Sequence, residues 1–288
     1  MRLLDGKKLS EKLLATLKTQ ISSTYESTSK RPGLCVLRIG EDPASKIYVT
    51  KKIKSCRDLG IKSPELHLNA SITQSDLLKK IETLNQDPGI HGILIQLPLP
   101  KHLDASSLLE AVSPQKDVDG FHPINLGRLM VGEAGLIACT PLGIMNLLRE
   151  NSVEIKGKRA VVIGRSRIVG RPISLLLDQA GATVTVVHLQ TSNPEALCQE
   201  ADILVAAAGK PHLVGKNHIK KGVVIVDVGI HRLDSGKLIG DVNFDEVKEM
   251  ASAITPVPGG VGPMTICGLM QNTWKAFCQI EGIQADSH

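Results

Sequence analysis

The chain has 288 residues, of which 42% are hydrophobic and 22% charged, and its formal net charge is +5 at pH 7. This length predicts two domains or one large α/β unit, and the composition excludes disordered, collagen-like and coiled-coil chains. Only 2% of the residues are aromatic, which argues against a protein that stacks nucleic-acid bases on aromatic side chains. We expect no binding to nucleic acid and, because no apolar run reaches the ~18 residues of a membrane helix, none to membranes.

Two further observations concern location and metals. The first residues include Asp5, Lys7 and Lys8, where a signal peptide needs an apolar stretch, so we expect a cytoplasmic protein. Six cysteines are spread along the chain, with no two of them two to four residues apart, and no histidine pair has metal-ligand spacing. We therefore expect buried, reduced thiols and no metal site.

The spacing of apolar residues in the first half of the chain predicts alternating helices and strands. The predicted elements are a helix over 7–21, a strand over 33–39, a helix over 44–59 closed by Gly60, a run around 61–68, a helix after Thr73, and a strand over 92–96. This order indicates a mostly parallel sheet with helices on its faces.

The second half repeats this alternation. Strands are predicted over 158–163, 183–188, 203–206 and 223–228, with a helix over 168–180 and a last helix that has Pro263 in its first turn. Continuous apolar strands are typical of a doubly wound sheet that is buried on both faces. The change of pattern predicts a domain boundary near Thr140.

A glycine-containing turn, Gly164 to Gly170, joins the strand over 158–163 to the following helix. Such a turn brings backbone N–H groups to a pyrophosphate. Ser166 replaces the usual second glycine and Gly170 stands one residue late, so an ordinary strand-to-helix turn remains an alternative at this point. The next strand ends in His188-Leu189-Gln190, without the carboxylate typical of NAD sites, while Arg165 can meet a 2′-phosphate. These features favour NADP over NAD.

The helix over 44–59 carries five basic residues and, from 46 to 57, no acidic one. Tyr48 and Lys52 are four residues apart and share one helix face. A partly desolvated lysine near other cations is suited to proton transfer, which makes Lys52 a candidate catalytic residue. A solvated basic face is the alternative, and we prefer it for Lys46 and Lys51.

Two polar motifs follow the predicted strands. Gln96 ends the strand over 92–96, at the edge where open α/β sheets bind ligands, or it is a strand-end amide with internal partners. Asp117 and Asp119 form either an Asp-Gly turn before Gly120 or a carboxylate site for the amidine-like edge of a heterocycle.

Taken together, these segments resemble the bifunctional methylenetetrahydrofolate dehydrogenase/methenyltetrahydrofolate cyclohydrolase family over nearly the whole chain. The matching segments are EDPASKIYVTKKIKSC (41–56), GILIQLPLP (92–100), KDVDGFHP (116–123), TPLGI (140–144), GRSRIVGRP (164–172), DVGI (227–230) and ITPVPGGVGPMT (254–265). The last segment (254–265) is diagnostic of the family, whereas the glycine turn (164–172) also occurs in other families.

The resemblance implies a two-domain α/β fold. It places an α/β catalytic domain at 1–139, a Rossmann-like, doubly wound NADP-binding domain at 140–261, and a C-terminal helix at 262–288 that returns to complete the first domain. It implies NADP-dependent oxidation of 5,10-methylenetetrahydrofolate to 5,10-methenyltetrahydrofolate, followed by hydrolysis to 10-formyltetrahydrofolate.

The resemblance also implies roles for individual residues. It assigns catalysis to four side chains: Tyr48, Lys52, Gln96 and Asp119. The same four bind the folate, together with Ile95, Leu97, Pro258, Gly259, Gly260, Val261 and Gly262. Contacts to the dinucleotide fall to Gly164, Arg165, Ser166 and Ile230. The family is typically homodimeric.

One position departs from the family pattern. Leu189 stands where relatives often carry serine or arginine for the 2′-phosphate, which leaves NAD or dual use open. The spare cations near Lys52 are expected to attract the polyglutamate tail of a folate. Two alternatives remain: another two-domain NADP oxidoreductase, similar to shikimate dehydrogenase, and a non-catalytic nucleotide- or nucleic-acid-binding protein.

Overall fold

The computed structural model describes residues 1–284, and for Ala44 only the backbone. The α-helices span Gly6–Thr28 (α1), Pro43–Leu59 (α2), Gln74–Gln86 (α3), Ala105–Ala111 (α4), Pro123–Val131 (α5), Cys139–Glu150 (α6), Gly170–Gln179 (α7), Pro194–Gln199 (α8), Phe244–Val247 (α9) and Val261–Glu281 (α10). The strands span Arg2–Leu3 (β1), Leu34–Ile39 (β2), Glu65–Leu68 (β3), Gly92–Ile95 (β4), Arg159–Ile163 (β5), Thr183–Val187 (β6), Ile203–Ala206 (β7), Val224–Asp227 (β8), His231–Arg232 (β9), Leu238–Ile239 (β10) and Ala253–Ile254 (β11).

The chain divides into two compact units. Unit 1 consists of Met1–Lys12 and Thr140–Gly268, and unit 2 of Leu13–Cys139 with the chain from Leu269 onward. Within the described residues, every helix is too short or too polar to span a lipid bilayer.

Unit 1 contains a six-stranded parallel sheet with the order β1-β11-β8-β7-β5-β6. The chain leaves β5 for β6 on one side and returns to β7 on the other, so the strand order reverses at β5. Open α/β sheets bind ligands outside the carboxyl ends of the strands at such a reversal. A ligand site in unit 1 is therefore expected among the loops that follow β5, β6, β7 and β8.

Unit 2 is built on a three-stranded parallel sheet with the order β3-β2-β4. All six residues of β2 are buried. Because successive side chains of a strand point to opposite faces, Leu34 and Val36 pack with α1, α2 and α10, while Cys35 and Leu37 pack with α3 and α4. Burial on both faces explains why residues 34–37 of β2 are a continuous apolar run rather than an alternating one.

Two boundaries differ from the predicted domains. Residues 1–12 group with unit 1, not with the predicted domain at 1–139, because β1 pairs with β11. A two-residue edge strand carries no periodicity that a sequence can reveal. In α10, the residues up to Gly268 group with unit 1, whereas the following turns pack Met270, Trp274 and Phe277 into a core of unit 2.

The buried His91 joins three segments of unit 2: its own loop, the stretch from Lys30 to Gly33, and α10. His91 is 3% exposed, and its Nδ1 accepts from the Gly33 amide at 3.0 Å. Its Nε2 therefore carries the proton of the neutral ring and donates to Glu281 Oε1 at 3.1 Å, while Lys30 bonds to the other carboxylate oxygen. The ring also packs edge-on against Phe277. Burial lowers the pKa of His91 below its usual 6.5, since a protonated ring loses the bond from Gly33.

This arrangement predicts a pH-dependent contribution to stability. The unfolded chain protonates His91 at a higher pH than the folded chain does, so the native state loses stability as the pH falls below about 6.5. We expect His91→Asn to cost about 2 kcal/mol at pH 7.5, through lost packing and hydrogen bonding, and less at pH 5.5. Urea unfolding followed by fluorescence of Trp274, which lies in a core of unit 2, measures both values.

His102→Asn provides the control, because His102 is an exposed histidine and its replacement should cost less than His91→Asn at pH 7.5. A cost for His91→Asn that is the same at pH 7.5 and pH 5.5 contradicts the proposed titration.

Candidate functional site

A cavity of about 630 Å³ lies at the carboxyl ends of β5, β6 and β7 in unit 1. Its walls come from the loops after these strands and include Gly164, Arg165, Ser166, Gln190, Ala208 and Lys210. The cavity occupies the place that the reversal of strand order indicates for a nucleotide. The three predicted cofactor residues of the glycine turn all line it.

The turn after β5 requires glycine at two positions. Gly164 has a φ of +115°, and a Cβ there would lie 2.2 Å from the Ala207 carbonyl oxygen. A Cβ on Gly170 would lie 2.2 Å from the Gly164 carbonyl oxygen. Ser166 Oγ accepts from the amides of Val169 and Gly170 at 3.2 and 3.3 Å, so it bonds to the first turn of α7. The unusual spacing of this motif therefore still gives a tight strand-to-helix turn.

The charges in the cavity suit a phosphorylated ligand. Arg165 Nη2 donates to Gln190 Oε1 at 3.2 Å, a neutral partner that leaves the guanidinium charge uncompensated. Lys210 adds a second cation, and Glu195 is the one acidic residue among the lining residues described. Leu189 is fully exposed and offers no hydrogen-bond donor. The residues present therefore fit a dinucleotide phosphate, with Arg165 as its main charged partner beside Gln190.

Two buried carboxylates near this cavity were missed by the sequence analysis. Asp227, the last residue of β8, accepts from three backbone amides, those of Gly229, Asp241 and Val242. Burial raises the pKa of Asp227 to about 6. Asp241 is completely buried and bonds to the loop after β7 and to His231. The signal available in the sequence was the pair Gly229 and Gly240, where any Cβ would collide with these aspartates.

The motif at 254–265 lies at the start of α10. Gly259 has a φ of +107°, and its carbonyl accepts from the Lys7 amide at 2.9 Å. A Cβ on Gly260 would lie 2.6 Å from the Pro256 carbonyl oxygen. Ile230 is half exposed, and a Cβ on Gly262 would lie 3.4 Å from its Cδ1. Among the predicted residues in unit 1, the structure therefore brings Ile230 close to Gly262.

In unit 2 the structure joins Lys52 to Gln96. Asp42 caps α2 by accepting from the Ser45 amide at 2.7 Å, and Gly60 ends the helix in the left-handed conformation. Lys52 Nζ donates to Gln96 Oε1 at 3.0 Å. Gln96 Nε2 donates to the Leu97 carbonyl at 2.7 Å, which fixes the amide with its oxygen toward the lysine. The structure thus gives the Gln96 side chain two partners within unit 2, the Lys52 ammonium and the Leu97 carbonyl.

Tyr48 and the residues beside Gln96 differ in what they can offer a ligand. Tyr48 lies one turn before Lys52 on α2, with 40% of its surface exposed. The side chain of Ile95 is buried in a core of unit 2, so only its backbone can reach a ligand. Leu97 is half buried, and its carbonyl accepts from Gln96 and Ser45.

The two aspartates after Lys116 have separate roles. Asp117 is buried and accepts from the amides of Phe121 and His122 and from Asn125 Nδ2, so it forms the turn. Burial raises the pKa of Asp117 to about 6. Burial also raises the pKa of Asp119, while the positive charge of Lys52 acts in the opposite direction. Lys52 bonds to Gln96 and interacts electrostatically with Asp119, and we call these three side chains the polar cluster of unit 2.

Within residues 1–284, no three histidine, cysteine, aspartate or glutamate side chains group closely enough to hold a metal ion. The side chains of the polar cluster in unit 2 supply an amine, an amide and a carboxylate, which can transfer protons and bind a polar heterocycle.

Comparisons with known proteins match two consecutive parts of the chain to two domains of one family. Residues 4–119 match the family model described as tetrahydrofolate dehydrogenase/cyclohydrolase, catalytic domain. Residues 138–281 match the model for the NAD(P)-binding domain of the same family.

Individual relatives are similar over almost their full length. The bifunctional protein FolD of Lactococcus lactis subsp. cremoris is 52% identical over 276 residues, covering 96% of both chains. A crystal structure of the FolD methylenetetrahydrofolate dehydrogenase/cyclohydrolase from Campylobacter jejuni superposes with a TM-score of 0.95 at 49% identity, covering 97% of this chain and 99% of that one. The Trypanosoma brucei FolD structure, complexed with NADP cofactor and an inhibitor, gives 0.92 at 37% identity, covering 96% and 97%.

The two alternative functions are not favoured by these matches, since both halves of the chain match the two domains of one family in order. The resemblance drawn from the motifs is confirmed, as is the two-domain α/β fold class. The chain belongs to the tetrahydrofolate dehydrogenase/cyclohydrolase family.

Proposed function

We propose that this chain oxidises 5,10-methylenetetrahydrofolate to 5,10-methenyltetrahydrofolate with NADP, and then hydrolyses the product to 10-formyltetrahydrofolate. The observation that carries the proposal is the 3.0 Å hydrogen bond between Lys52 and Gln96, in a cluster with Asp119. A lysine held by a fixed amide is suited to the hydrolytic step, and it lies in the part of the chain that matches the catalytic-domain model.

For the oxidation, the chain binds and orients rather than transferring protons. When bound, the nicotinamide ring accepts a hydride. The folate nitrogens delocalise the resulting cation, so no general base is required. Gly164 and Ser166 would offer backbone groups to the phosphates, and Arg165, beside Gln190, would hold the 2′-phosphate. Ile230 would offer its exposed apolar side chain to the cofactor.

For the hydrolysis, Lys52 moves the protons. Water forms a bond to the methenyl carbon, and one of its protons passes to Lys52 Nζ, which acts as the neutral amine in this step. The bond from that carbon to N5 of the folate then breaks as the remaining hydroxyl becomes the formyl carbonyl. Lys52 Nζ delivers its proton to N5, the hydroxyl proton leaves to solvent, and the formyl group stays on N10. Because Gln96 Nε2 is anchored on Leu97, its oxygen holds Nζ in one position throughout.

Two further residues hold the folate. Asp119 is placed to accept paired hydrogen bonds from the amidine-like edge of the pterin, and such charge-assisted pairs are among the stronger hydrogen bonds. Tyr48 offers its exposed ring to the aminobenzoyl group and also restricts the position of Lys52, one turn away on α2.

Replacing the lysine separates the two activities. We expect Lys52→Met to reduce hydrolysis of methenyltetrahydrofolate at least 100-fold, the usual scale of general acid–base catalysis, while hydride transfer persists. Ultraviolet absorbance distinguishes the two steps, since methenyltetrahydrofolate then accumulates with the reduced nicotinamide. Running the assay with NADP and with NAD also measures cofactor preference, and we expect the larger kcat/KM with NADP.

The matched control is Lys80→Met, which removes an exposed lysine from α3. It should leave both activities unchanged. Equal loss of the two activities in Lys52→Met, with normal folate binding, contradicts the assigned role, and no signal with either nucleotide contradicts the proposed function.

A basic surface on α2 suits the polyglutamate tail of natural folates. Lys46, Lys51, Lys54 and Arg57 are exposed, and no carboxylate among the described residues pairs with them. We expect the double variant Lys51→Gln, Lys54→Gln to raise the KM for a polyglutamyl substrate about 3- to 10-fold at low salt. The reason is that each exposed ion pair between a lysine and a glutamate of the tail contributes up to about 1 kcal/mol to binding. The monoglutamyl substrate, or high salt, should abolish the difference. An unchanged KM at low salt contradicts this proposal.

We also propose a homodimer, supported by the edge strand β6. Among the described strands only β5 pairs with β6, and Val186 on β6 is exposed. An unpaired, apolar edge is a template for a second copy. Sedimentation equilibrium of the wild-type protein should give twice the mass of one chain. The Val186→Lys variant should give the mass of a single chain, because a charged side chain on an edge strand opposes pairing. A wild-type monomer at micromolar concentration contradicts the dimer.

A cytoplasmic location is supported by the cysteines, since all six are buried as free thiols, the state expected in a reducing compartment. Burial raises the pKa of Cys35, Cys56, Cys198 and Cys278 to about 11, which keeps these thiols protonated. Recovery of the native chain in an oxidising, membrane-enclosed compartment after cell fractionation contradicts this location.

A further inference from the structure

The carboxylate of Asp241 is shared between two separate segments of unit 1. Its Oδ2 accepts from the amides of Ala208 and Gly209 at 2.7 and 2.9 Å. Its Oδ1 lies 2.7 Å from His231 Nε2. Because an ionised carboxylate only accepts hydrogen bonds, the ring must carry a proton on Nε2. One side chain thereby links the loop after β7 to the start of β9.

Asp241 is itself held in place by a second carboxylate. Asp227 Oδ1 accepts from the Asp241 amide at 2.9 Å, and Asp227 Oδ2 accepts from the Val242 amide at 3.0 Å. A Cβ on the preceding Gly240 would lie 1.8 Å from Asp227 Oδ2, so the backbone approaches this carboxylate directly. The backbone that carries Asp241 thus has a fixed position relative to the end of β8.

Both segments that Asp241 holds belong to the proposed dinucleotide site. Ala207, Ala208 and Lys210 line the 630 Å³ cavity, and the Ala207 carbonyl limits the Gly164 turn to glycine. The other segment carries Ile230, the residue immediately before His231. Asp241 bonds to amides behind the cavity wall and is completely buried, so it acts on the cavity through other residues.

We propose that Asp241 is a positioning residue for the dinucleotide, holding the Ala208–Gly209 turn and the Ile230–His231 segment in the geometry that binds it. This inference rests on the proposed use of NADP. A loop that is already ordered in the free protein loses less conformational entropy when the ligand binds, and this smaller loss strengthens binding. The cyclohydrolase step needs no dinucleotide, so it is independent of Asp241.

The test compares two substitutions at this position. Asp241→Ala leaves the Ala208 and Gly209 amides without an acceptor, and we expect the Kd for NADP, measured by titration calorimetry, to rise at least tenfold. Asp241→Asn can turn its oxygen to these amides and its NH₂ to His231, which then accepts on Nε2 and moves its proton to Nδ1. We expect a Kd within about threefold of wild type, with the new tautomer visible in the ¹⁵N shifts of His231.

Two results support the proposal together: a raised Kd in Asp241→Ala, and hydrolysis of methenyltetrahydrofolate at the wild-type rate in the same variant. An unchanged Kd overturns it, as does a parallel fall of NADP binding, hydrolysis and Tm, which indicates a structural role only. A wild-type protein that does not bind NADP overturns the proposed cofactor use instead.

Amide hydrogen exchange on the wild-type chain covers the case in which Asp241→Ala does not fold. The amides of Ala208 and Gly209 should be protected before NADP is added, and NADP should change their exchange less than that of the Lys210 amide. Exchange of these two amides as fast as in exposed turns, with protection gained only on adding NADP, overturns the proposal. His231→Ala, which leaves both amide bonds in place, should raise the Kd less than Asp241→Ala does.

Discussion

Loops between helices and strands leave backbone amides without partners in the regular structure, and in both units buried carboxylates accept from such amides. Asp117 bonds to the amides of Phe121 and His122 in unit 2, while Asp227 and Asp241 bond to five amides in unit 1. An unpaired buried N–H costs about as much as a lost hydrogen bond. These carboxylates therefore determine where the functional loops lie.

Burying these carboxylates in their ionised form costs free energy of folding, and that cost depends on pH. Burial raises the pKa of Asp117 and of Asp227 to about 6, so each ionised carboxylate is less favourable in the folded chain than in the unfolded one. Their contribution to stability is therefore smaller at pH 7 than at pH 5. The buried His91 changes in the opposite sense, since its neutral form is the favoured one. The two effects oppose each other in the mildly acidic range, and the native loops depend on the amide bonds that offset the burial of the charge.

Much of this fold can be predicted from the sequence, because its strands are short apolar runs and its main turns use glycine or capping residues. Thr73 accepts from the Asp76 amide and begins α3 as its spacing predicts. The tight turn at Gly164 and the shared face of Tyr48 and Lys52 also follow from local patterns. The contact between Lys52 and Gln96 spans 44 residues, so it was predicted only through the family resemblance.

Asp241 could not be predicted in this way. Its partners at 208, 209, 227 and 231 are brought together by the order of the strands. The sequence signals them only through Gly229 and Gly240, and the reason for these glycines is visible only in the structure. The early strand β1 was missed for the same reason, since its two residues pair with β11 about 250 positions later in the chain.

Each unit consists of two separate stretches of the chain, and this affects when each unit can fold during synthesis. Unit 1 needs residues 1–12 as well as 140–268, and unit 2 needs 13–139 together with the chain from Leu269 onward. Domains usually fold one after another as the chain leaves the ribosome, beginning at the N-terminus. Here the core of unit 2 lacks Met270, Trp274 and Phe277 until the whole of unit 1 has been synthesised. One apolar face of its sheet therefore stays incompletely covered until the end of α10 is made, and unit 2 completes its native packing only after all residues of unit 1 have left the ribosome.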